Sequence, residues 1–266
     1  MSDKILVDGH VHLYGCADRL RFLEAAWRNL SAAASEANVT EGHWQGCLLF
    51  TESARDDGFA DLRSAALPNG WRSRTISRDP AALFLNRDGA DLLVIAGRQV
   101  ISAEGIEVLA LATTRSFADG VPVAALLAEL RAADIPAVLP WGLGKWLGRR
   151  GDQVAELMAA QAGPGLFAGD NAGRPPGWRV PLFQRGTVVL PGTDPLPLAG
   201  TEERVGGYGF MLDGQLDPDR PAADMAQRLL ALRETPPVFG RRCGWSVVLG
   251  EQLALRRRKA RPGAGS

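Results

Sequence analysis

Residues 1–15 read MSDKILVDGHVHLYG, and this stretch decides the fold class. Ile5, Leu6 and Val7 form a short apolar run that reads as a buried strand. Residues two apart in a strand point to the same face, so the continuation of that run sends His10 and His12 in one direction at the strand's C-terminal end. The chain holds only 3 histidines, the third being His43. Two imidazoles aimed together just after Asp8 suit a divalent metal. The alternative reading is a pair of structural histidines at a strand terminus.

Around this start, composition narrows the class. A chain of 266 residues, 46% of them hydrophobic, can bury one large core and has the size of many single-domain α/β barrels. Lysine plus arginine (30) balance aspartate plus glutamate (30), so nothing global argues for nucleic acid or a membrane surface as partner. Cys16, Cys47 and Cys243 are few, odd in number and far apart, which fits a reducing compartment. The chain enters a strand at once, without the long apolar stretch of a leader or a membrane span, and a cytoplasmic location is expected.

Strand-like runs at Ile5–Val7, Gly46–Thr51, Leu92–Ala96, Val108–Ala112, Ala137–Leu139, Leu166–Ala168 and Val188–Leu190 alternate with helical patterns. One helix follows Asp18, a residue suited to cap it, with Leu20, Leu23, Trp27 and Leu30 at helical spacing. Another follows Pro122, with Val123, Leu126, Leu127 and Leu130 on one face. GDQVAELMAAQA and RPAADMAQRLLALRE supply two more. Segments 52–90 and 171–186 read as long loops. The alternation predicts a parallel sheet, with a closed barrel as its leading form: one domain over residues 1–255 and a basic, flexible tail over 256–266.

Several strand ends, taken in order, resemble the polymerase-and-histidinol-phosphatase (PHP) family of metal-dependent phosphoesterases. Asp8, His10 and His12 match its opening Asp-x-His-x-His motif. Thr51, Glu52 and Ser53 stand where that family has Thr-Asp-His. Gln99 stands at its glutamate and Glu107 near a later histidine, Leu139-Pro140-Trp141 replaces Ala-His-Pro, and Gly192 and Asp194 fit its closing motif with Leu196 at the histidine place. The resemblance implies a distorted (β/α)7 barrel, similar to a TIM barrel, with metal ligands at the C-terminal strand ends. Histidines missing after His12 leave too few ligands for the family's usual three-metal cluster. The amidohydrolase superfamily shares the His-x-His start and a final strand-end aspartate and is the main rival resemblance.

The remaining residues assemble into a hypothetical centre. His10, His12 and Asp194 supply three ligands for zinc, manganese or iron, one or two ions in all, with a position open for water. Glu52, Glu107 and Asp170 are the candidate catalytic carboxylates. Arg98, Lys145, Arg149, Arg150, Asn171 and Arg174 lie in strand-end loops, and their guanidinium and ammonium groups suit a small anionic, phosphorylated substrate. The expected activity is hydrolysis of a phosphate ester by a metal-activated water. Hydrolysis of a C–N or lactone bond and non-catalytic binding of a metal or anion are the alternatives.

Overall fold

The structure is a computed structural model that describes residues 3–146, 148–161 and 163–259. Its strands are β1 (Lys4–Val11), β2 (Trp44–Phe50), β3 (Arg72–Thr75), β4 (Ala82–Arg87), β5 (Ala90–Ile95), β6 (Arg98–Ile101), β7 (Glu107–Ala110), β8 (Ala137–Pro140), β9 (Leu166–Asn171), β10 (Val189–Gly192), β11 (Tyr208–Asp213) and β12 (Val238–Gly240). The helices are α1 (Arg19–Glu36), α2 (Gly58–Ser64), α3 (Val123–Ala132), α4 (Arg149–Ala160), α5 (Pro221–Ala231) and α6 (Trp245–Lys259). Each of the seven expected strands forms. Asp18 caps α1 through its side chain, which accepts from the Arg21 amide, and Pro122 sits just before α3.

The strands do not close into the expected (β/α)7 barrel. They make two mixed sheets, one ordered β12-β11-β1-β2-β5-β4-β3 and the other β10-β9-β8-β7-β6. The physical reason lies at the edge of β1. A closed parallel barrel needs that edge for the last barrel strand, but β11 takes it antiparallel, pairing Phe210 with Val7 and Asp213 with Lys4. A second cause is the segment 52–90, which is not a loop: it contains α2 and the β3–β4 hairpin, which extends the first sheet through antiparallel pairing of β4 with β5. Residues 256–259 continue α6 rather than starting a free tail, and residues 260–266 of the expected tail lie outside the described residues.

The two sheets still touch where the site lies. Beyond its pairing with β11, the C-terminal half of β1 runs beside β10, and the Asp194 amide donates to the His10 carbonyl at 2.8 Å. The approach is so close that a Cβ on Gly192 would lie 2.3 Å from the His10 nitrogen, and one on Gly9 would lie 2.6 Å from the Pro191 carbonyl oxygen. At the other seam the end of β2 meets the start of β6 through a parallel bridge between Glu52 and Arg98. The main core fills the space between the first sheet and α1, with Phe22, Leu23, Leu30, Phe50 and Phe210 fully buried. A second cluster packs α3 and Val154 of α4 against β7 and β8. Among the described residues no helix is long and apolar enough to cross a membrane.

Candidate metal centre

His10 and His12 leave β1 on the same face, as the two-residue period requires, and both are buried. Their Nε2 atoms lie 3.0 Å apart, and Asp194 Oδ1 lies 3.6 Å from the first and 3.8 Å from the second. A circle through three points with those separations has a radius of about 2.0 Å, which matches the metal–ligand distances of zinc held by imidazole and carboxylate. The donor set therefore fits a first-row divalent ion. Burial pushes the imidazolium pKa of His10 down to about 4 and that of His12 down to about 3, so both rings are neutral, the state in which they ligate. Asp194 adopts a left-handed backbone conformation (φ 47°), a region where a non-glycine residue is uncommon and which marks functional sites more often than others.

Neighbouring groups orient these ligands. The Asn171 amide donates to Asp194 Oδ2 at 2.9 Å and to the Trp141 carbonyl at 2.7 Å, which turns Oδ1 toward the histidines. Asn171, expected to bind substrate, is the residue that holds the Asp194 carboxylate. Tyr14 stacks on His12 with ring centroids 5.1 Å apart, and burial together with the nearby Asp194 carboxylate keeps its hydroxyl protonated. The Gln99 amide stands near both histidines and favours their protonated forms, against the larger effect of burial. Tyr14 and Gln99 were absent from the expected site; the signal for Gln99 was its place in the resemblance, where the family has a glutamate. Asp8 is buried beneath the pair and accepts from Thr193 N at 2.8 Å, Thr193 Oγ1 at 2.5 Å, Gly206 N at 2.9 Å and His10 N at 3.4 Å.

The expected catalytic carboxylates and anion-binding cations meet one another. Lys145 donates to Glu107 Oε1 at 2.5 Å, and both act electrostatically on His10, which places this pair beside the metal ligands. Arg174 holds Asp170 through two bonds of 2.6 Å, with the Tyr208 hydroxyl on the same carboxylate at 2.7 Å. Successive residues of β9 face opposite sides, so Asn171 reaches Asp194 while buried Asp170 pairs separately with half-buried Arg174. Arg98 faces Glu52 across one 3.5 Å contact. Glu52 is buried, accepts from the Phe59 amide at 2.5 Å, and its pKa is pushed up to about 7 by burial, which outweighs the nearby Arg98 charge. Arg149 and Arg150 open α4 as exposed residues away from any acid partner among the described residues. His43 is exposed and pairs with Asp3 at 2.7 Å. Trp141 packs edge-on against Trp178 and Trp146 against Phe183, so both serve loop packing.

No protein-family model and no curated protein matches the chain. Among solved structures, the crystal structure of PsfC from Pseudomonas syringae PB-5123 is similar, with a TM-score of 0.53 and 15% sequence identity over 97% of this chain and 100% of that one. At that identity the likeness speaks for the fold alone: the two chains share an overall α/β arrangement along nearly their whole length.

Proposed function

We propose that the chain is a divalent-metal-dependent hydrolase of a small anionic substrate, with His10, His12 and Asp194 as ligands. One observation carries the reading: three candidate ligand atoms from the end of β1 and the turn after β10 lie about 2.0 Å from a common point, with both imidazoles buried and neutral. A bound divalent ion of this kind supplies a water that ionises near neutral pH. The chain's own residues do the rest. His10 and His12 stay neutral, Asn171 fixes the Asp194 carboxylate, and Glu107, whose charge acts on His10, serves as the proton acceptor. Lys145 holds Glu107 in place through its 2.5 Å bond and keeps a positive charge beside the reacting group.

Phosphate-ester hydrolysis is the first form of this activity, because a cation beside the ligands favours a substrate that keeps negative oxygens. A specific observation favours a second form. Arg174 is committed to Asp170 and Lys145 to Glu107, so an uncharged scissile group, such as an amide or lactone, would disturb neither pair. A panel of phosphomonoesters, amides and lactones, assayed with added zinc or manganese, separates the two. Turnover of a phosphate ester that Glu107→Gln lowers by about a hundredfold or more supports the first form. Turnover confined to the amides or lactones replaces it with the second, and metal binding without any turnover refutes the hydrolase reading.

A further inference from the structure

One cavity of about 470 Å³ is lined by Glu52, Arg55, Arg98, Gln99, Ser116 and Phe117, together with Asp56 and Asp57. Gln99, which lines it, stands near His10 and His12 and so joins the cavity to the candidate metal centre. A second cavity of about 190 Å³ shares Glu52, Asp57 and Arg98 with it, so the Glu52–Arg98 pair is a partition between two spaces.

That partition is loosely made. The expected anion grips elsewhere, Lys145 and Arg174, hold their acids at 2.5 and 2.6 Å, whereas Arg98 meets Glu52 in a single contact of 3.5 Å. Glu52 does not depend on Arg98, because the Phe59 amide already binds its other oxygen at 2.5 Å. Arg98 is also partly exposed, with 26% of its side chain accessible. A guanidinium recognises a planar or tetrahedral oxyanion through two parallel bonds, and this one has most of its donors free to do so. Arg55, exposed at the rim, has no hydrogen-bond or ion-pair partner for its guanidinium among the described residues. Of the acids that face the space, Asp56 is held by the Ser53 hydroxyl at 2.5 Å and Asp57 lies exposed.

We infer that this cavity is the subsite for an anionic group of the substrate, a carboxylate or a phosphate remote from the bond that reacts, and that Arg98 grips it in exchange for its contact with Glu52. The inference rests on the proposed metal-dependent reading for what lies at the far end of the substrate, but not for the binding of the anion itself. It moves anion recognition from the Lys145 and Arg174 loops to the seam between β2 and β6.

Titration calorimetry with inorganic phosphate and with acetate, on the full chain at neutral pH, tests it. Each anion is measured on the metal-loaded protein and on His10→Ala, so that direct contact of the anion with a metal is removed from the second arm. Whichever anion binds more tightly identifies the carboxylate or phosphate class. Arg98→Gln is expected to weaken that anion by about tenfold or more, and Arg149→Gln, which removes an exposed cation outside the cavity, by less than about twofold. Glu52→Gln, which removes the competing carboxylate, is expected to tighten it several-fold, an effect a merely structural role would not produce. If Arg98→Gln does not fold, the Glu52→Gln result decides alone. Binding that ignores Arg98→Gln, binding lost in Arg149→Gln, an unchanged affinity in Glu52→Gln, or no binding of either anion overturns the subsite. Arg98-dependent binding in a chain that holds no metal keeps the subsite and refutes the metal reading; metal binding without it does the reverse.

Discussion

Asp8 offers no ligand atom, yet it fixes the backbone on both sides of the ligand group. Its carboxylate accepts from His10 N on β1 and from Thr193 N, next to Asp194. Burial pushes its pKa up to about 7, while four donors aimed at it pull the other way. Asp8→Asn replaces one acceptor oxygen with an NH2 that faces donors, and an unmet buried donor costs about 1–3 kcal/mol. A loss of that size, measured by urea denaturation with and without zinc, is expected together with weaker metal binding. Glu52 gives a pH signature. Its folded pKa of about 7 stands above the ordinary 4.5, so the stability linked to its proton is complete below about pH 4.5 and is lost as pH rises through about 7. Wild-type stability should therefore fall relative to Glu52→Gln between those limits, and a difference that stays flat across them contradicts the burial of this group.

His10, His12 and Asp194 meet because two strands approach with no side chain between them. Gly192→Ala would put a methyl group against the His10 backbone, with a cost on the order of 3 kcal/mol and a separation of β1 from β10. Thermal denaturation should show the loss, and zinc affinity should fall with it; a variant with normal affinity would show that the seam does not set the site. At this scale much was legible in the sequence. The β1 reading followed from a short run of consecutive apolar residues, and α1 from its spacing and its Asp18 cap, since both signals are local. Strands β3 and β4 were not legible: RSRT is nearly all exposed, and the surrounding Arg, Asp, Gly and Pro gave the composition of a loop. Their pairing with β5 is a tertiary effect that local composition does not carry. Helix α6 was missed for a related reason, because Trp245, Leu249 and Leu253 remain exposed and mark no apolar face turned to a core.

The arrangement of the whole molecule was the least legible. Alternating strands and helices suit both a closed barrel and open mixed sheets, and the choice between them fell to β11, which takes the edge of β1 antiparallel. No pattern within residues 208–213 announces which edge they will occupy. The clustering of His10, His12 and Asp194 was legible across that same distance, because these are rare or constrained residues at strand ends and stay together through the change of topology. The pairing of the expected cations with the expected carboxylates was not, since sequence shows charges but not their partners. These three residues are proposed to hold a divalent metal. Elemental analysis of the purified chain alongside His10→Ala, Asp194→Ala and His43→Ala tests it most directly. Roughly one zinc, manganese or iron ion per chain is expected in the wild type and in His43→Ala and should be lost from the other two. A wild-type chain that takes up no divalent ion, or equal metal content in all four proteins, would contradict it.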